Sequence, residues 1–293
     1  MGVRRMSIET IDFNVIKVFN NNILLVSQAN VEKILYEKGI GFGKHLGDII
    51  SEGTKIEKIF SIEDKTNYDN FYELLNRVDS DLIALCEEVI YMISNDLKED
   101  LHEKVHISLT DHIVFTLKRL KNGEDIKNPF LVEIETLYPR EFELARKAIT
   151  MIENKTKIYF PDDEIGFITL HIHSARNEGK LSNTVRYAFL SNTIIEIIED
   201  ELIIEVDKKS LDYARFITHI RFAIERIINK TPIQNELLDT IKFKYYSAFK
   251  LAQKISKFIE KELNIKVVED ETAYLAMHVQ RFKSITCSEI KKY

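Results

Sequence analysis

FELARKAITMIENKTKIYFPDDEIGFITLH, residues 142–171, lies without a gap over FKLAQKISKFIEKELNIKVVEDETAYLAMH, residues 249–278. The same offset of 107 residues places LTDHIVFTLKRL (109–120) over FITHIRFAIERI (216–227), and about a third of the positions between His112 and His171 are identical in the two copies. A match of that length at a fixed offset marks a duplicated domain. Within it, windows such as DLIALCEEVIYMISNDL (81–97) and REFELARKAITMIENKT (140–156) repeat their apolar residues at helical spacing, which predicts two homologous all-α bundles.

The chain before these copies reads differently. VIKVF (15–19), NILLV (22–26), EKILYE (32–37) and TKIEKIF (54–60) are short runs of branched and aromatic residues, separated by Asn20-Asn21-Asn22 and by KGIGFGKHLGD (38–48). This is the pattern of short strands joined by turns, so residues 14–60 are expected to form a small antiparallel β unit. Five of the nine glycines in 293 residues fall within 39–53. They do not make a phosphate loop, because Gly43-Lys44 is followed by His45 and Lys38 stands where the first glycine belongs. They do not make a dinucleotide fingerprint, because the last spacing is absent and no helical pattern follows. A β surface opened by glycines remains.

Composition narrows the classes. A hydrophobic fraction of 45% fills real cores. The two cysteines, Cys86 and Cys287, are far apart and no signal-peptide pattern opens the chain, so a reduced, cytoplasmic protein is expected. No apolar run reaches the roughly 18 residues a membrane span needs. The formal net charge is −6, yet residues 1–60 hold eight Lys/Arg against seven Asp/Glu. Nucleic-acid binding by the first segment is therefore not excluded. Polar stretches at 61–70 and near 178–184 read as linkers. They divide the chain into a 1–13 extension, a β domain at 14–60, and helical domains at 71–177 and 185–293.

The duplication shows which residues both copies retain. Ile113/Ile220, Phe115/Phe222, Phe142/Phe249, Leu144/Leu251 and Ala145/Ala252 read as core. The retained polar residues are Arg119/Arg226, Asn128/Asn235, Asp163/Asp270, Glu164/Glu271, His112/His219 and His171/His278. Each copy thus holds two histidines 59 residues apart, while His45, His102, His106 and His173 have no counterpart. A metal site lacks matched third and fourth ligands, and His171 and His173 are about 200° apart on a helix. A hydrolase lacks every usual nucleophile motif, so no enzyme activity and no cofactor are expected. Two readings stay open from the residues alone: hydrogen-bonded structural histidines, or phosphoacceptors whose added charge switches a neighbouring domain.

These motifs, in this order, resemble the bgl/sac family of bacterial antiterminators. The resemblance rests on KVFNNNILLV with KGIGFGK, on SLTDHIVFTLKR with IKNPFLVEIETLYPREFELA and PDDEIGFITLHI, and on FITHIRFAIER with ETAYLAMHVQR. It implies a co-antiterminator domain that binds a leader-RNA hairpin as a homodimer and keeps an overlapping terminator from forming in a sugar-utilisation operon. It implies that Lys17, Asn20, Asn22, Lys38, Gly39 and Phe42 contact RNA. Two phosphotransferase-system regulation domains would follow, phosphorylated at His112 and His171, tied to a sugar permease, and at His219 and His278, tied to the phosphocarrier HPr. The other class considered is a phosphohistidine protein whose β unit binds protein. Three departures stand out: Glu37 replaces a family glycine, the hairpin before Lys38 lacks its glycine turn, and residues 1–13 precede the usual start, with Met6 as a candidate first residue.

Overall fold

The computed structural model describes residues 12–178 and 181–290, with backbone alone at 182–183 and 284–290. The expected 1–13 extension, Met6 and the side chain of Cys287 lie essentially outside the described residues. Five strands come first: β1 (Phe13–Val18), β2 (Ile23–Gln28), β3 (Val31–Tyr36), β4 (Ile49–Ile50) and β5 (Lys58–Ser61). They form one antiparallel sheet in the order β4-β1-β2-β3-β5. Eleven helices follow: α1 (Lys65–Arg77), α2 (Ser80–Leu97), α3 (Val105–Lys121), α4 (Leu131–Leu137), α5 (Pro139–Thr156), α6 (Asp162–Arg176), α7 (Leu181–Leu202), α8 (Leu211–Asn229), α9 (Leu238–Lys244), α10 (Tyr246–Leu263) and α11 (Glu269–Ile290). The fold is therefore the expected one: a small all-β antiparallel domain, then two homologous all-α bundles.

Strand β2 buries Ile23, Leu24, Leu25 and Val26 in succession. It does not alternate, because both its faces are covered. Leu24 and Val26 join Phe13, Val15, Leu35, Ile40 and Ile50 in one core, while α2 packs over β2. The β2–β3 hairpin closes through Ala29 and Asn30, at φ 52° and 64°. Two adjacent left-handed residues give the primed turn that suits the twist of paired strands, so the hairpin does without glycine.

Helix ends follow local chemistry. Asp64 caps α1 by accepting from Asn67 N–H at 2.9 Å, and Asp79 caps α2 by accepting from Asp81 N–H at 2.8 Å. The Asp64 cap starts α1 at Lys65, inside the polar stretch read as a linker. The first turns of α6 and α11 carry Asp162-Asp163-Glu164 and Glu269-Asp270-Glu271, which suit the positive helix end.

The described contacts divide into two compact units. One holds the sheet, α1–α3, α5 and α6; the other holds α4 and α7–α11. In the second unit, α9 packs on α10 and α11, whereas α4, its sequence counterpart, packs on α8. Buried Glu133 of α4 accepts from Tyr213 Oη at 2.7 Å and Lys208 Nζ at 2.9 Å. Sequence similarity between α4 and α9 did not determine where each docks.

One expectation fails. Phe115 and Phe222, read as core, are 57% and 43% exposed. Both lie one turn from a retained histidine, on the face of the helix that its own bundle leaves uncovered, and retention in two copies does not distinguish that from burial. Ile113, Ile220, Phe142, Phe249, Leu144, Leu251, Ala145 and Ala252 are buried as expected.

Candidate functional site

The asparagine turn and the glycine loop form one surface of the β domain. Asn20 Oδ1 accepts from the N–H groups of Asn22 at 2.8 Å and Ile23 at 3.0 Å, closing the β1–β2 turn from within. Asn22 Oδ1 accepts from Gly39 N–H at 3.1 Å, and Gly41 N–H donates to the Asn21 carbonyl at 2.9 Å. A Cβ on Gly41 would lie 2.2 Å from the Asn20 carbonyl oxygen. This glycine clears space for the protein's own turn. Gly39 serves differently, at φ 79° with open space around it.

Lys38, Gly39 and Phe42 are exposed at the rim of this loop, Phe42 by 78%, and Lys17 is half-buried with Nζ 5.6 Å from the Phe19 ring. An unshielded aromatic ring on a surface that also carries lysines is the usual platform for an unstacked base. Glu37 is half-buried with Oε2 fully buried, so its carboxylate turns inward and does not stand beside Lys38.

The side-chain amides of Asn20 and Asn22 are already engaged. Both donate to Glu88 Oε1 of α2, at 2.8 and 3.4 Å. Tyr91, one turn further along α2, stacks on Tyr36 with ring centroids 3.7 Å apart. The first helical domain thus grips this surface with a carboxylate and a ring, a contact with no signature in the sequence.

The retained histidines meet in pairs because α3 packs on α6 and α8 on α11. The His112 and His171 ring centroids are 4.9 Å apart, and those of His219 and His278 are 3.9 Å apart and stacked. The other retained polar residues build the shell. Asn128 N–H donates to Asp163 Oδ1 at 2.7 Å, and Asn235 N–H to Asp270 Oδ1 at 2.9 Å. Arg119 donates to buried Glu164, and Arg226 to buried Glu271.

The two pairs differ electrostatically. His112 Nε2 lies 3.2 Å from Glu164 Oε2 and 3.5 Å from Thr116 Oγ1. Burial pushes the Glu164 carboxyl up, but His112 and Arg119 outweigh it and hold it below the usual range. His171 Nδ1 is buried without a partner, and burial, then His112, pushes its imidazole down to about 3. In the second copy Arg226 grips both oxygens of Glu271, at 2.8 and 2.7 Å, and His219 Nδ1 instead meets Tyr274 Oη at 2.9 Å. A recess there is lined by His219, His278, Arg215 and Arg281. Burial, then His219, Arg281 and Arg226, push His278 down to about 4. Burial, then Arg281 and Arg226, also lower His219. The lowered rings are neutral near pH 7 and retain a nucleophilic lone pair. No cluster of three or more potential metal ligands occurs among the described residues, and no described helix is long and apolar enough to cross a membrane.

Comparison with known proteins agrees with this layout. A family model described as CAT RNA binding domain matches residues 13–69, and one described as PRD domain matches twice, at 87–175 and 192–282. Protein GlcT of Staphylococcus saprophyticus is 38% identical over 92% of this chain and 97% of its own. Transcription antiterminator LicT of Bacillus subtilis is 36% identical over 90% of this chain and 97% of its own. A crystal structure of GlcT CAT-PRDI covers 57% of this chain and 99% of that one, at 46% identity and a TM-score of 0.50.

Proposed function

Because this chain belongs to the family of transcription antiterminators that join a CAT RNA-binding domain to two PRD domains, we propose that it binds a leader-RNA hairpin and is gated by histidine phosphorylation. Residues 14–60 are the RNA-binding domain, and 71–177 and 185–293 the regulation domains, with 61–70 and 178–184 joining them. The hairpin is received by Lys17, Asn20, Asn22, Lys38, Gly39 and Phe42. The observation that carries this reading is the exposed Phe42 ring on the loop that also exposes Lys38 and is hydrogen-bonded to the asparagine turn.

Binding keeps the overlapping terminator from forming, so the protein acts as a cytoplasmic regulator and not as an enzyme. A homodimer is the working form, since a β unit this small exposing Leu46 and Ile49 gains core by pairing. His112 and His171 accept phosphate under control of a sugar permease, and His219 and His278 accept it from HPr. Paired rings in a shell both copies retain support that assignment. In the conformation described, Glu88 occupies the Asn20 and Asn22 amides, so the first regulation domain competes with RNA.

The test is a mobility shift with the full chain and the hairpin upstream of its own operon, at low salt. A shift lost in Phe42→Ala and Lys38→Ala is expected; wild-type protein that gives no shift refutes the RNA assignment. Incubation with HPr, enzyme I and phosphoenolpyruvate should place acid-labile phosphate on the second regulation domain. Equal labelling of His219→Ala/His278→Ala refutes the acceptor assignment.

A further inference from the structure

The two histidine pairs are copies of one site, yet they tie up different ring nitrogens. His112 Nε2 faces Glu164 Oε2, and an ionised carboxylate can only accept, so Nε2 carries a proton and in the neutral ring the lone pair sits on Nδ1. Nδ1 of His112 is neither a buried unpaired atom nor engaged in any hydrogen bond among the described residues. In the second copy Nδ1 of His219 is the nitrogen engaged, by Tyr274 Oη. A tyrosine hydroxyl can accept as well as donate, so it tolerates the tautomer with the proton on Nδ1 and the lone pair on Nε2. Nε2 of His219 is in turn neither buried and unpaired nor bonded.

Three matched positions produce the difference. Phe167 stands where the second copy has Tyr274, so no tyrosine hydroxyl reaches His112 Nδ1 in the first copy. Thr116 stands where the second copy has Ala223; its hydroxyl lies against both His112 Nε2 and Glu164 Oε2. The arginine completes the change. Arg119 reaches only Oε1 of Glu164 and leaves Oε2 to His112, whereas Arg226 takes both oxygens of Glu271.

We propose that the two copies offer opposite nitrogens to an N–P phosphoryl donor such as a phosphohistidine carrier protein, Nδ1 at His112 and Nε2 at His219, with Glu164 and Tyr274 as the positioning residues that decide it. This rests on the phosphoacceptor reading above. In each transfer the free lone pair attacks phosphorus as the donor's N–P bond breaks, and the bond pair returns to the donor nitrogen. The acceptor ring keeps its proton on the other nitrogen, hydrogen-bonded to Glu164 or to Tyr274. The two products are different isomers of phosphohistidine, placed on different sides of the ring, so a carrier docked for one geometry is misaligned for the other.

The experiment uses the full chain with potassium phosphoramidate as a small N–P donor. Variants retain one acceptor each, His171→Asn/His219→Asn/His278→Asn for His112 and His112→Asn/His171→Asn/His278→Asn for His219, and isomer-specific antibodies read the product. The Nδ1 isomer on His112, the Nε2 isomer on His219, and a mixture on His219 once Tyr274→Phe is added are expected. The same isomer at both sites overturns the proposal, as does a Tyr274→Phe product unchanged from its parent. Side-chain ¹⁵N NMR of histidine-labelled wild type gives a check independent of folding in the variants: His112 should be the Nε2–H tautomer and His219 the Nδ1–H tautomer, and like tautomers overturn it. HPr and phosphoenolpyruvate form the last arm. Failure of that arm alone, with the isomers and tautomers as stated, refutes the carrier assignment and leaves the nitrogen assignment standing.

Discussion

Replacing Glu88 by Ala should strengthen RNA binding. Glu88 Oε1 accepts from Asn20 Nδ2 at 2.8 Å and from Asn22 Nδ2 at 3.4 Å, so one good bond and one weak bond must break before RNA reaches those amides. A hydrogen bond to a charged group contributes roughly 1.5–3 kcal/mol. Glu88 is half-buried, and solvent screening reduces this to about 1–2 kcal/mol. At about 1.4 kcal/mol per decade, removal of the competitor should tighten hairpin binding roughly five- to thirty-fold. Fluorescence anisotropy with the labelled hairpin measures this, at one fixed salt concentration because phosphate contacts make affinity salt-dependent. Losing a negative charge near RNA also raises affinity, but that part fades as salt increases, whereas the freed amides persist. Glu88→Gln, which keeps an acceptor and loses the charge, should fall between. Equal or weaker binding by Glu88→Ala across the salt range would refute competition between α2 and RNA.

Gly41→Ala forces a Cβ to within 2.2 Å of the Asn20 carbonyl oxygen, so it should destabilise the β domain by about 1–3 kcal/mol and weaken RNA binding. Gly53→Ala, whose Cβ meets only Ser51 Oγ at 3.8 Å, should leave both unchanged in urea titration and anisotropy. Arg119→Ala leaves Glu164 buried with only His112 and Thr116, and should lower the unfolding free energy by about 3–5 kcal/mol; a change under about 1 kcal/mol contradicts the buried pair. His278 titrates at about 4 when folded, below a histidine's usual value near 6.5. The unfolded chain therefore binds a proton that the folded one refuses between those values. Stability should fall as pH drops from 6.5 toward 4 and be fully retained above 6.5. His278→Asn should flatten the urea midpoint's pH slope in that window, and an unaltered slope counts against the buried neutral ring.

The amino-acid sequence by itself determined the class of each part. Apolar residues recurring at helical spacing and at short strand spacing are local, periodic facts, and the 107-residue repeat returned the two histidines of each copy and the retained Arg, Asn, Asp and Glu positions without any second protein. It also located the Asn20–Asn22 turn and the Gly39–Gly43 loop, because turn chemistry depends on neighbouring residues. Only the tertiary structure decided what those residues touch. Phe115 and Phe222 have the apolar character of core yet face outward, since burial depends on what packs against a face. The hold of Glu88 on Asn20 and Asn22 joins residues nearly seventy positions apart, and no local pattern encodes it. Identical histidines in matched positions engage different ring nitrogens, because their partners differ by Tyr274 in place of Phe167 and by how many carboxylate oxygens each arginine takes. Periodicity fixes which way a chain segment folds, and packing at a distance fixes what its polar atoms meet.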